Sequence, residues 1–516
     1  MVNGGGRVVE STLSETVLWS GLRALLVASL ALWPLLMLRR VWEGLSSDRG
    51  RMLVAGAAVF PFFVPELLTG FHYRVQASIW AAGLAPDWSA VFTEGLYGLI
   101  QLLRAVSVGA LVLFLLARDP VAGSSRHLWR LSGPVMSRWR QVWGLFRLHL
   151  EADWAGAAGA WSVMALVVFQ EFETAALMQI DRHPLTWTVW LFDAHAARQP
   201  LEDSLRMAVW PLVFECLLLS PAVAVLLLRR GTVEGERAAV AGGYRPAGRI
   251  WVVLACVWGL LAAGVLLGVP LWRMGADAAS GLALLLGSGG MLRQSLAQVF
   301  TSALISSGAA IAALGVCGLI LEQRERSTGG GRLLSSLFLG VLLLPGLAGS
   351  LAASLGLLEL FQVPVLQPLY ETWLPLLLGL TLSMLPRAFG LQLLLRLMRT
   401  NEGLFLADAL RWSGDGAVRR AGAAIVWRLS DVRWVIAGLI LTQWCFWDVT
   451  TTSLLRPLSP EPVVTRLYNE MHFARTEALL GLTVLSAIAP AFLWVSSLLL
   501  LRIWRMKKDT KQSFVS

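Results

Sequence analysis

Along most of this chain polar residues do not alternate with apolar ones at a helical or a strand period; for long stretches they are absent. Runs of roughly 18 to 25 mainly apolar residues recur about eleven times, and each is long enough to cross a hydrocarbon core of about 30 Å. They lie near Trp19 to Leu38, Met52 to Phe71, Leu96 to Leu116, Ala155 to Leu177, Met207 to Leu228 and Ile250 to Val269, then Ala303 to Leu321, Leu334 to Leu358, Trp373 to Leu395, Val435 to Leu455 and Leu479 to Ile503. In lipid an unpaired backbone group is costly, so segments of this length satisfy their hydrogen bonds only as helices. The pattern predicts an all-α polytopic membrane protein.

The connectors between the runs are of two kinds, and they alternate. One kind is crowded with arginine, as in Arg39 to Arg51, Arg118 to Arg147, Arg229 to Arg249, Arg324 to Arg332 and Arg396 to Arg428, and in the tail from Arg502 to Lys511. Lys and Arg accumulate on the cytoplasmic side. The other connectors carry fewer bases and more Trp, Pro, Asp and Glu, which puts the N-terminus outside and the C-terminus in the cytoplasm. An odd number of spans agrees.

Composition sharpens this picture in a few places. With 516 residues, 56% apolar and 15% charged, the chain is too hydrophobic for an ordinary soluble enzyme. The net charge of +10 sits in the cytoplasmic connectors, so it does not call for nucleic acid. Cys216, Cys256, Cys317 and Cys445 fall within apolar runs with no CxxC spacing, and read as buried small hydrophobes. Met1 to Thr16 carries Glu10 and Glu15 and no small-residue cleavage site, so no removable signal is expected. The 24 tryptophans gather near the ends of the runs, where interfacial anchoring accounts for them.

The second half of the chain repeats the first. Thr12-Leu13 aligns with Ser295-Leu296, Arg104 with Arg387, Ser132-Gly133 with Ser413-Gly414, Phe169 with Phe446 and Pro211 with Pro490. Residues 1–228 then form a first transmembrane domain, 229–249 a cytoplasmic Gly/Arg-rich linker and 250–516 a second domain, with five and six spans. Duplication in a multispanning chain points to a transporter with its path between related halves. The triple glycine at Gly329 to Gly331 lacks the Lys-Ser/Thr ending of a nucleotide-binding loop, and no GxxxxGK[ST] occurs anywhere. An ATP-driven mechanism would need its ATPase on another polypeptide.

The longest basic connector of each half carries the aligned Ser-Gly. In the second half it reads Ala407-Asp408-Ala409-Leu410-Arg411-Trp412-Ser413-Gly414, followed later by Ala424-Ile425-Val426-Trp427. This resembles the EAA loop of ABC importer permeases, which joins two short helices through a glycine turn and offers them to a cytosolic partner. Asp408, Ala409 and Gly414 match that loop; its Ile-x-Leu-Pro ending is missing. In the first half the acid is missing as well, and only Gly133 remains. Further on, Asp448-Val449-Thr450-Thr451-Thr452-Ser453-Leu454-Leu455-Arg456-Pro457 and then Thr465-Arg466-Leu467-Tyr468 resemble a passage of the fused iron(III)- and thiamine-type ABC permeases. Leu343-Leu344-Pro345-Gly346 and Leu385-Pro386-Arg387 agree with it.

The resemblance implies a type I importer permease in the bacterial inner membrane, with both transmembrane domains fused. Its implied partners are two copies of a cytosolic ABC ATPase and a periplasmic or lipid-anchored solute-binding protein. ATP would be bound by the ATPase, so the chain itself is expected to hold no cofactor and to be no enzyme. Ferric iron and thiamine are the substrates the resemblance favours. The Asp408, Ala409, Gly414 and Gly133 positions would be the coupling loops.

Ionisable residues within membrane spans are costly unless paired or facing a polar path. Arg104 and Arg387 occupy equivalent places, as do Glu171 and Asp448, and these four are the candidate path or gate residues. They could instead pair to lock helices together or snorkel to the interface. Glu66, Glu173 and Glu215 have no acidic counterparts. His72, His183, His195 and His472 fall in outward connectors and His127 and His149 in an inward one, so no dedicated metal site is expected. Two rival readings remain: a secondary transporter that uses the same carboxylates for ion coupling, and a divergent permease homologue that does not transport.

Overall fold

The computed structural model describes residues 12–45, 47–115, 137, 154, 156–178, 186–196, 200–228, 248–328, 330–399, 406–407, 409–410, 415–426, 432–457, 459, 461–472 and 475–515. Among the described residues the regular structure is helical, without a strand. Eight of these helices are long and apolar enough to span a bilayer. The number rises to nine when Arg49–Phe63 and Glu66–Ala81, bent by 74° at their junction, count as one span. Two of the expected runs appear as shorter apolar helices, Arg433–Phe446 and Thr476–Pro490. The first is cut short by a break at Trp447 and Asp448, and the second is the apolar start of a helix that continues to Val515. The chain is therefore a multi-pass helical membrane protein.

It divides into two compact units, one of Met1–Gln199 with Val209–Trp272, the other of Pro200–Ala208 with Arg273–Ser516. The first unit contains α1 (Leu13–Gly44), α2 (Asp48–Val59), a 3-10 turn (Phe60–Phe63), α3 (Glu66–Ala81), α4 (Pro86–Leu115), α5 (156–169), α6 (Glu173–Met178) and α7 (Trp187–Ala196). After α8 (Leu201–Met207), which belongs to the second unit, come α9 (Val209–Leu228) and α10 (Arg249–Ala263), again in the first. A π turn at Gly264–Gly268 leads into α11 (Val269–Gly287).

The second unit continues with α12 (Gly289–Arg326), α13 (Gly330–Leu347), α14 (Gly349–Phe361), α15 (Gln367–Tyr370), α16 (Leu374–Arg399) and α17 (Gly416–Val426). It closes with α18 (Val432–Phe446), α19 (Val449–Leu455), α20 (Val463–His472) and α21 (Thr476–Val515). The two units thus share an order of elements: a long first helix, an interrupted second span, a long third span, a span broken near its end, a short helix and a long closing helix.

Helix α1 shows why these sequences form lipid-immersed helices. Thr12 caps it, accepting from the Glu15 N–H while the Glu15 carboxylate accepts from the Thr12 N–H at 2.9 Å. Ala24, Ala28, Ala31, Leu35 and Leu38, spaced by three and four, are buried along one face, and α1 packs against α4. Leu18, Leu22, Leu26, Leu30 and Trp33 cover the opposite face and are exposed. A helix apolar on both its packed and its open face suits hydrocarbon rather than water. Helix α10 repeats the theme, with Val253, Val257 and Leu260 exposed.

In the second unit α12 packs against α13, α16, α18 and α21. The approach of α13 to α16 is so close that a Cβ on Gly346 would overlap the Pro386 ring. Such contacts need small residues, as is usual between membrane helices. Two placements expected from sequence change here. His72 lies within α3 and is buried, not in a connector, because the second span bends and continues instead of ending. Cys317 and Cys445 are buried, but Cys216 and Cys256 are exposed on apolar helices.

Candidate functional site

The most informative geometry lies where spans break. In the first unit the helix from 156 stops at Phe169, residues 170–172 leave helical geometry, and α6 restarts at Glu173. Glu171 caps the restart: its carboxylate accepts from the Thr174 N–H at 2.5 Å and the Ala175 N–H at 3.1 Å. The Tyr97 hydroxyl donates to the same carboxylate at 2.6 Å. Carbonyls freed by the break also find donors, since the Trp187 indole N–H reaches the Phe169 oxygen at 2.8 Å and the Thr188 hydroxyl reaches the Glu171 oxygen at 2.8 Å. Broken backbone inside a membrane protein is tolerated on these terms.

The second unit repeats the device. Trp447 and Asp448 interrupt the span between α18 and α19, and Asp448 Oδ1 accepts from the Thr451 N–H at 2.8 Å. The Thr452 hydroxyl donates to the Asp448 carbonyl at 2.6 Å. A second matching bond ties each long first helix to the short helix after the break. The Trp187 N–H donates to Ser20 at 3.1 Å, and the Val463 N–H donates to Ser302 at 3.0 Å. Glu171 and Asp448, paired by sequence, are thus N-caps of equivalent helix restarts.

The paired arginines part company. Arg104 is buried and forms an ion pair with Glu66, while its Nη2 donates to the Val64 carbonyl at 2.8 Å. Val64 lies at the bend between the 3-10 turn and α3, so one guanidinium satisfies both the freed carbonyl and the acid that opens α3. Arg387 stacks over the Trp444 ring at 5.0 Å and contacts Met384 Sδ at 3.3 Å, with no ion pair among the described residues. Where the first repeat has Glu66, the second has Gly349, with φ 86, at the corresponding interruption of the helix. Only glycine adopts that conformation without strain.

Further polar residues join the first-unit network. Arg23 donates to Glu94 at 2.5 Å, and its guanidinium lies 5.0 Å from the centre of the Tyr97 ring. Gln170 donates to the buried Glu215 at 2.9 Å. The bend of the second span carries Glu66 to the break, where oxygens of Glu66, Glu171 and Glu173 all come within 4.8 Å of one another. In the second repeat the registers of Arg23, Tyr97 and Gln101 hold Ser306, Leu380 and Met384. Ser306 and Leu380 there line a crevice with Ser302, Phe446 and Thr452.

Sequence reasoning therefore singled out Glu171, Asp448, Arg104 and Arg387 and missed Tyr97, Arg23 and Gln101. The missed signal was a polar residue inside a span whose repeat partner is apolar or small. Of the loop positions, Ala409 is helical and exposed. Asp408, Gly414 and Gly133 lie outside the described residues.

Fold and site together define a multi-pass helical membrane protein in which each unit has a span broken at a buried, acid-capped restart. No protein-family model, curated protein or solved structure matches the chain.

Proposed function

We propose that this chain is the transmembrane subunit of an ABC importer with both permease domains fused. It would pass a small solute from a periplasmic binding protein across the bacterial inner membrane, with ferric iron or thiamine favoured by the sequence resemblance. The observation that carries the reading is repetition. The same order of helices, the same acid-capped break and the same serine-to-backbone bond occur in both units. Transporters built from repeats place their paths at discontinuous helices between related halves. Hydrolysis of ATP falls to two copies of a partner ATPase, which would engage the Asp408, Ala409 and Gly414 loop more strongly than the Gly133 loop.

The test is reconstitution of the chain with a candidate partner ABC ATPase and solute-binding protein from the same organism. Solute-loaded binding protein should stimulate ATP hydrolysis, and Gly414→Asp should abolish stimulation while the membrane domain stays folded. Hydrolysis indifferent to the binding protein would overturn the proposal. A second reading, ion-gradient-driven transport, draws on the buried carboxylates of the first unit, since acids in spans often couple ions. It expects uptake without ATP that collapses when an ionophore dissipates the gradient.

A further inference from the structure

Three helices of the first unit meet at one end, and each brings arginine to it. Helix α1 finishes there with Arg39 and Arg40, and α2 begins after three further residues with Arg49 and Arg51. Helix α10 begins beside them, because the Arg40 guanidinium lies 4.8 Å from the centre of the Trp251 ring. The two starting helices run side by side, since a Cβ on Gly259 would stand 3.6 Å from the Ala57 Cβ. Arg249 precedes Gly259 by ten residues and Arg49 precedes Ala57 by eight. At a rise of about 1.5 Å per residue these two arginines stand within about 3 Å of one level.

Local acids do not cancel this charge. Against the five arginines at 39, 40, 49, 51 and 249 the sequence sets only Glu43 and Asp48. Glu43 is engaged by Arg39 at 3.0 Å, and the Arg51 Nε donates to the Leu45 carbonyl at 2.8 Å. Arg40, Arg49 and Arg249 are exposed.

The same end carries the marks of a membrane interface. Trp42 stacks on Phe114 with ring centres 5.3 Å apart, and Trp251 lies under Arg40. Tryptophan near span ends sits at the level of lipid headgroups. Immediately beyond the arginines α2 exposes Met52 and Leu53, and α10 exposes Ile250, Val253 and Val257. Cations at headgroup level with apolar faces running on from them match a lipid whose headgroup is an anion.

We propose that the joined ends of α1, α2 and α10 bind one anionic phospholipid, with Arg40, Arg49 and Arg249 on its phosphate and its acyl chains along the exposed faces of α2 and α10. Guanidinium groups meet phosphate oxygens in pairs, and basic sites between membrane helices favour anionic headgroups. Inorganic phosphate would use the arginines alone; the adjoining apolar faces select the lipid. The bound lipid would join α10 to the first two helices of the unit. This site stands independently of ATP coupling.

The test takes the full-length protein, stripped of lipid in detergent, and titrates it with phosphatidylglycerol or phosphatidylcholine, reading retained lipid by native mass spectrometry. One phosphatidylglycerol per chain should be held in preference to phosphatidylcholine. An arginine near an anionic headgroup is worth about fivefold in affinity, so Arg40→Gln should weaken binding about fivefold and Arg40→Gln with Arg249→Gln about twentyfold. Arg326→Gln, at an exposed arginine of α12 paired with Glu322, should bind as the parent does. Phosphatidylglycerol should also raise the unfolding midpoint of the parent and leave that of the double variant unmoved. Equal retention of the two lipids, parental affinity in the double variant, an equal loss in Arg326→Gln, or displacement of the lipid by inorganic phosphate would overturn the proposal.

Discussion

The two units solve one backbone problem with different chemistry. Each contains an interrupted second span and a fourth span that stops and restarts under an acidic cap, and each ties the following short helix to a serine on the long first helix. In the first unit the bend is held by charge, through Arg104, Glu66 and the Val64 carbonyl. In the second the interruption lies at a glycine in the left-handed region beside close packing of α13 on α16, while the equivalent Arg387 rests on Trp444. A repeated frame therefore does not require repeated polar content. The acids that recur, Glu171 with Asp448, serve the backbone; residues that do not recur, Arg23, Tyr97 and Glu66, form a polar network in one unit alone.

The largest expected contrast is at the paired arginines. Arg104→Gln leaves Glu66 without its counter-charge and the Val64 carbonyl without its donor, which should cost about 3–5 kcal/mol and deplete the membrane-inserted protein. Arg387→Gln removes a cation–π contact worth about 0.5–1 kcal/mol. Quantifying inserted protein and thermal unfolding for both variants checks this, and equal losses would break the comparison.

A smaller contrast is expected at the caps. Asp448→Ala should destabilise by about 0.5–2 kcal/mol, the usual range for loss of an N-cap acid. Glu171→Ala should cost more, because the Tyr97 hydroxyl and a second backbone N–H lose their acceptor as well. Unfolding midpoints of the two variants decide it. An Asp448→Ala loss equal to or above that of Glu171→Ala would show that the first-unit network adds nothing to the cap.

Much of the frame was legible in the sequence, because long apolar runs leave the backbone few alternatives. Nine of the expected spans coincide with helices long enough to cross, the bent pair included. The breaks were not legible as breaks: Glu171 and Asp448 stood out as charges inside apolar runs, yet their capping role depends on N–H groups three residues on, which run length does not register. The acid cluster was further out of reach. Glu66 and Glu171 are brought together by a 74° bend that hydropathy reads as a continuous span. Arg104 and Arg387 align in sequence, but their partners differ because Glu66 aligns with a glycine, and alignment of one residue says nothing about the neighbour it meets.

The claim that charge holds the first unit and packing the second is tested most directly by a double-mutant cycle on the stability of the purified protein. Arg104→Gln, Glu66→Gln and the double variant form one cycle, and Arg387→Gln, Asp448→Asn and their double variant form the other. The account predicts strong coupling in the first cycle, with the double variant no less stable than either single, and additive effects in the second within about 0.5 kcal/mol. Additive effects for Arg104 and Glu66, or coupling between Arg387 and Asp448 as strong as theirs, would contradict it.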